Sequence, residues 1–432
     1  MKRLLQGADI LAWENEGFVC RKRGYLGIDG DTIEYLGTEP PRGAYDEVKD
    51  MTGKLLLPGL VNGHTHTGMS LLRGLGSDLP LKAWLFDTMF PVEDRLTDED
   101  LRIGMELSML EMIASGTTSF TDMYMSPGYT AKAVLASGMK ANLCRPMQSF
   151  DPDEEPMTCR RMREMLALYD GWNGAGNGRI KVDFSIHAEY TCTQRMVRAA
   201  AEEARKRGAG MHIHLSETEA EQRACVEKRG MTPARWFDSL GAFDVRAYAA
   251  HGVWLTQEDR ELLKERGVTV VHCPESNLKL GSGVANVPDM VAEGVTVALG
   301  TDGAASNNNL NMLEEMHLCA MLHKGVSHDP TLLPQNEVLK MATVNGAKLQ
   351  GRTDIGVLAV GKKADIAAVD MDRAHLTPCI DPVSNLVYSA QGADVCLTMA
   401  DGRILYENGT FFTLDKERIL REAKQAAERL LN

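Results

Sequence analysis

Residues 58–74 read PGLVNGHTHTGMSLLRG, and the reading of the fold starts from how His64 and His66 sit in them. An apolar run leads into the pair, as into the end of a buried strand. In a strand, residues i and i+2 point to the same side. Both imidazoles therefore leave one face together, close enough to share one ion. The chain has only eleven histidines, so two of them one residue apart at a strand end form a specific signal.

Downstream of this stretch, short apolar runs rich in Val, Ile and Thr alternate with longer helical segments. Eight candidate strands end near His66, Asp122, Arg145, His187, His214, His251, His272 and Asp302. Amphipathic segments lie between them: LTDEDLRIGMELSMLEMIASG (96–116), QRMVRAAAEEARKRG (194–208) and TQEDRELLKERG (256–267). Thr97, with Asp100 three residues on, caps the first, and Gly116 ends it. Strand–helix alternation repeated over roughly 290 residues predicts an α/β chain built on a (β/α)8 TIM barrel. The strand ends of such a barrel form one face, where active sites are built. Asp122 reads best as a polar residue starting a loop. The Met-rich stretch MELSMLEM (105–112) has helical spacing and reads as core packing.

The two ends of the chain have a different texture. ADILAW, GYLGIDG and TIEYLG near the N-terminus, and GVLAVGKKADIAAVD and VCLTMADGRILYENG near the C-terminus, read as short strands separated by turns. They predict a small β-sandwich domain built from both termini, residues 1–57 and 355–432, with a C-terminal helix. Residues 58–354 would form the barrel. GVLAVGKK (356–363) approaches a phosphate-loop pattern, but Lys363 stands where Ser or Thr is required and no helix follows. A β-hairpin is expected there.

Composition narrows the partners. At 432 residues the chain is long enough for one large unit and a smaller one. A net charge of −13 argues against nucleic acid, which needs clustered Lys and Arg. Nine cysteines without a C-x-x-C pair fit a reducing compartment. The N-terminus lacks a signal-peptide core, and no run is long enough to span a membrane. The expectation is a cytoplasmic protein acting on a small molecule.

The histidine pair needs further ligands. MHIHLSETE (211–219) offers His214 at its strand end, with His212 one layer deeper in a structural place. VALGTDGAASNN (297–308) supplies Asp302. Three histidines and one carboxylate leave a position for water, as a hydrolytic metal centre requires. Zn2+ is the preferred ion for this donor set.

Together, P-G-x-x-x-x-H-x-H at 58–66, His214, His251 and Asp302 resemble the amidohydrolase superfamily, along nearly the whole chain. LKAWLFDTMFPVEDRLT (81–97), SIHAEYTC (185–192), HLSET (214–218), HCPESNLKL (272–280) and LGTDGAASNN (299–308) are similar to its S-adenosylhomocysteine/5′-methylthioadenosine deaminases. The resemblance implies hydrolytic removal of the 6-amino group of S-adenosylhomocysteine, 5′-methylthioadenosine, 5′-deoxyadenosine or adenosine. It implies that His64, His66, His214 and Asp302 hold the metal. Glu217 would then exchange protons with water and the purine ring nitrogen, and His251 would orient the attacking hydroxide. Asp302 would also accept a proton. Glu93 would bind the ribose hydroxyls, and His187 the far side of the sugar. Arg145 would meet the substrate's tail, in its own or a neighbouring subunit, and Arg160 or Arg161 would contact an amino-acid carboxylate. A homo-oligomer is implied as well.

Binuclear barrel hydrolases place a bridging lysine at the end of strand four. Here Lys181 stands at the start of that strand, so one divalent ion per subunit is expected. The alternatives are another ring hydrolase, such as a guanine deaminase or an s-triazine hydrolase, and a catalytically inactive dihydropyrimidinase-like scaffold. The H-x-E and P-C-x-x-C pattern of cytidine deaminases is absent.

Overall fold

The computed structural model describes residues 1–125 and 127–431. Eight strand positions appear in the expected order. They are Leu60–Thr65, Thr117–Met123, Lys140–Cys144 continued by Pro146–Met147, Ile180–Val182 continued by Phe184–Ile186, Met211–Leu215, Ala247–His251, Thr269–His272 and Val297–Leu299. Each pairs with its neighbours in parallel. Their residues are almost all buried, because helices cover the outside and side chains fill the inside.

The ring closes where the last strand meets the first. Thr65 forms a parallel bridge with Asp302, and the Asp302 N–H donates to the His64 carbonyl at 2.9 Å. The two backbones approach closely at this seam. A Cβ on Gly63 would lie 2.8 Å from the Leu299 carbonyl oxygen, and one on Gly300 would lie 2.7 Å from the His64 nitrogen. Only glycine fits at either position. Strands three and four are each interrupted once, at Arg145 and Asp183. Asp183 turns this break into an anchor by accepting from Tyr248 Oη at 3.0 Å and Arg246 Nη2 at 2.7 Å.

The helix Asp98–Ala114 starts as expected, with Thr97 and Asp100 in a reciprocal capping box. Thr256 and Asp259 repeat the box on a later helix, and Thr193 and Thr218 cap two others through their hydroxyls alone. The loop from the first strand carries the helical segment Leu81–Glu93, whose middle, Trp84–Met89, is wound as a π-helix.

The terminal strands form one hydrogen-bonded sheet of nine strands. Lys54–Pro58 lies between Lys2–Glu14 and Ile366–Asp370, so both ends of the chain meet in the centre of the sheet. Its own core includes Leu5, Ile10, Leu26, Leu56, Ile366 and Leu397. Two details differ from the sequence reading. Residues 356–363 make only single bridges, Leu358 to Ala12 and Lys363 to Thr32, and no hairpin forms. The partner strands were already supplied by the N-terminal segment. The C-terminal helix Lys416–Leu431 packs on the barrel helix Asp98–Ala114, held by Arg418 on Glu106 at 2.8 Å and by Arg429 on Asp100. Arg418 and Arg429 thus find their complements on the barrel helix.

Candidate metal centre

His64, His66 and His214 converge at the C-terminal rim of the barrel. The Nε2 atom of His214 lies 3.2 Å from Nε2 of His64 and 3.3 Å from Nε2 of His66. Asp302 Oδ1 lies 3.3 Å from His64 Nε2 and 3.1 Å from His66 Nε2. The far side of each ring fixes its proton. His66 Nδ1 donates to the Met123 carbonyl at 2.5 Å, and His214 Nδ1 to the His187 carbonyl at 2.7 Å. A carbonyl only accepts, so Nδ1 carries the hydrogen in both and Nε2 presents a lone pair. Lone pairs facing each other at such distances repel unless a cation lies between them. The residues therefore fit a divalent ion, and three imidazoles with one carboxylate suit Zn2+ and its borderline neighbours.

Asp302 is braced from behind, its Oδ2 accepting from Ser276 Oγ at 2.7 Å and Ser306 Oγ at 2.9 Å. Burial would raise its carboxyl pKa, but the two imidazoles outweigh burial and hold it well below the carboxylate range. Burial also holds His64 down to about 4, against the opposing pull of Asp302.

His251 and Glu217 stand beside this cluster. His251 Nδ1 contacts Asn277 Oδ1 at 2.9 Å, which turns Nε2 toward Glu217 Oε2, 3.8 Å away. Glu217 also accepts from Ser282 Oγ at 3.2 Å, and burial pushes its carboxyl upward. Ser216, His251 and Asp302 all have positive φ, at 49°, 76° and 60°. Non-glycine residues seldom adopt this conformation, and three instances around one cluster mark a strained rim.

A cavity of about 230 Å3 opens above these groups. Its lining includes the apolar Leu81, Trp84, Leu85 and Phe90 and the polar Glu93, His187, Arg145 and Arg161. Glu93 closes the segment Leu81–Glu93 and accepts from Tyr124 Oη at 2.7 Å. Burial raises its carboxyl pKa, although the Tyr124 hydrogen bond opposes this. His187 Nδ1 lies 3.1 Å from Thr191 Oγ1, and burial lowers its pKa to about 3. Arg145 pairs with Glu164 at 2.8 Å.

The two adjacent arginines separate cleanly. Arg160 is 84% exposed on the outer side of its helix, bound to Glu164, and does not line the cavity. Of the two arginines expected to contact a carboxylate, only Arg161 lines the cavity, since neighbours on a helix point about 100° apart. Arg161 lines the cavity, donates to the Gln148 carbonyl and Oε1, both at 3.0 Å, and leaves Nε without a partner.

Two of the eight strand-end residues stay outside the cavity. Asp122 binds the Thr67 N–H at 2.8 Å and the Thr65 and Thr67 hydroxyls, bracing the loop behind the histidine pair. His272 faces His323, with Nε2 atoms 3.3 Å apart. Lys181, at the start of its strand, donates to the Gly351 carbonyl. Tyr124, Trp84, Asn277 and Ser282 were not singled out in the sequence. The only signal for Asn277 was its place in the quoted HCPESNLKL.

A family model described as the amidohydrolase family matches residues 55–405. A 5-methylthioadenosine/S-adenosylhomocysteine deaminase of Acetivibrio thermocellus is 45% identical, covering 100% of both chains. A 5′-deoxyadenosine deaminase of Methanosarcina mazei is 46% identical over 95% of this chain and 94% of that one. The crystal structure of an adenosine deaminase from Xanthomonas campestris with bound zinc superposes with a TM-score of 0.94. It shares 30% identity and covers 99% of this chain and 98% of its own. By sequence and by fold, the chain belongs to the amidohydrolase family.

Proposed function

We propose that this chain is a one-metal deaminase of adenosine-type nucleosides, replacing the 6-amino group by oxygen and releasing ammonia. The observation that carries the reading is Glu217, a buried carboxyl beside a cluster of three imidazoles and one carboxylate, in a cavity shared with Glu93 and His187. The deaminase relatives support the substrate class.

His64, His66, His214 and Asp302 would hold the ion, which supplies Lewis acidity and makes water a usable nucleophile near pH 7. His251, its Nδ1 fixed by Asn277, orients that water. Glu217, whose carboxyl burial pushes upward, delivers a proton to the ring nitrogen beside the amine, so that the adjacent carbon accepts the oxygen. Asp302 accepts one proton from the nucleophile and returns it to the departing nitrogen, and the other proton of the water restores the one that Glu217 gave up. The C–O bond forms, the C–N bond breaks, and ammonia leaves. Glu93 takes the ribose hydroxyls and His187 the opposite side of the sugar. Arg145 and Arg161 meet a tail that carries a carboxylate.

S-adenosylhomocysteine, 5′-methylthioadenosine, 5′-deoxyadenosine and adenosine should each be assayed with zinc-loaded protein, following the adenine absorbance and ammonia. At least one should turn over. Silence with all four defeats the reading.

The ion is Zn2+ in this proposal, one per subunit, because Lys181 lies at the wrong end of its strand to bridge a second. The domains are kept as 1–57 with 355–432, and 58–354. Among the described residues no helix is long and apolar enough to cross a membrane. All nine cysteines are free, in keeping with a reducing, cytoplasmic setting. Phe150, 64% exposed at the cavity rim, supports a homo-oligomer that covers it. Light scattering on the purified protein tests that point.

A further inference from the structure

Of the three histidines in the cluster, two have their tautomer fixed by backbone carbonyls. The third does not. His64 Nδ1 faces another imidazole, His212 Nε2, at 3.0 Å, with both rings fully buried. Two neutral imidazoles joined this way share one hydrogen, and either ring could supply it. If His212 donates, the His64 hydrogen moves to Nε2 and points into the cluster, where no lone pair is left for a cation. If His64 donates, Nε2 is free to ligate.

The rest of the chain of contacts decides between the two. His212 Nδ1 lies 3.5 Å from Cys144 Sγ, and Cys144 Sγ lies 3.2 Å from the Asp122 carbonyl oxygen, to which it donates. With the thiol hydrogen on that carbonyl, Cys144 sulfur is left as an acceptor, so His212 carries its hydrogen on Nδ1. Its Nε2 must then accept from His64. The Tyr248 ring, 4.5 Å from the His212 ring, holds it in place.

From this geometry we infer that His212 is a positioning residue for the metal centre: it holds His64 in the tautomer that binds the ion. The inference rests on the proposal that His64 is a ligand. Removing an orienting partner of this kind costs roughly 10–100-fold in metal affinity.

The test compares His212→Leu with His212→Gln by zinc competition against a chromophoric chelator, with thermal unfolding of each metal-free protein in parallel. Leucine fills the space without an acceptor, whereas the glutamine Oε1 accepts from His64 Nδ1. His212→Leu should lose roughly 10–100-fold in zinc affinity, and His212→Gln should recover most of it. Equal affinity in the leucine variant and the parent overturns the inference. So does equal loss in both variants alongside a lowered melting temperature of the metal-free protein, which marks packing alone. His64→Ala is the companion measurement. If it keeps zinc at full affinity, the metal-centre reading itself fails; if it loses zinc while His212→Leu does not, only the role of His212 falls.

Discussion

Tyr124 Oη donates to Glu93 Oε1 at 2.7 Å and so fastens the helical segment over the barrel mouth to the end of the second strand. The carboxylate proposed to take the ribose hydroxyls is thus held next to the strand end that carries the Met123 carbonyl, the partner of His66. Changes at Glu93 should therefore separate sugar recognition from chemistry. Glu93→Gln should lower kcat/KM for nucleosides by roughly 10–100-fold, the value of a charged hydrogen bond, and leave activity on bare bases little changed. Equal loss on both would favour a guanine-deaminase or triazine-hydrolase type of site. Tyr124→Phe should cost less, because the carboxylate itself remains.

Metal removal should abolish turnover without unfolding the chain. Chelator-treated protein should be inactive, regain activity with zinc, and melt at a lower temperature. A ligand present at 100 times its Kd adds about 2.7 kcal/mol to stability. Elemental analysis before and after treatment checks the occupancy.

Glu217→Gln should keep its metal and lose its proton donor. A fall in kcat of roughly 10²–10⁴ is expected, with zinc content unchanged. Loss of zinc in this variant would place Glu217 among the ligands and not beside them.

Away from the cavity, burial and then the neighbouring Lys324 lower His323 to about 4. Below pH 6.5 the unfolded chain takes up a proton at this ring that the folded chain refuses until about pH 4. Stability should therefore fall as pH drops through that window, by at most about 3 kcal/mol from this residue. Urea midpoints measured at pH 7 and pH 5 should differ more in the parent than in His323→Gln.

The barrel was legible because most of its parallel strands carry short apolar runs and the helices between them announce their caps. The convergence of His64 and His66 was legible because i and i+2 share a face, a local fact that needs no tertiary knowledge. Arg160 and Arg161 show where this ends. Choosing between neighbours on a helix requires the helix's rotation, which packing against the barrel sets and composition does not. Tyr124 was hidden for a related reason: its role depends on Glu93, brought to it by an intervening π-wound segment. GVLAVGKK had the texture of a hairpin, but its pairing partners, Ala12 and Thr32, lie at the other end of the chain.

The seam where Thr65 meets Asp302 has a consequence for assembly. The first and last of the proposed ligands stand next to each other only after the ring has shut, with nearly the whole barrel between them along the chain. A nascent or truncated chain lacking Val297–Leu299 cannot complete the donor set, however well its earlier strands pair. High-affinity zinc uptake during refolding should accordingly trail the growth of helical signal, and so report when the ring has closed.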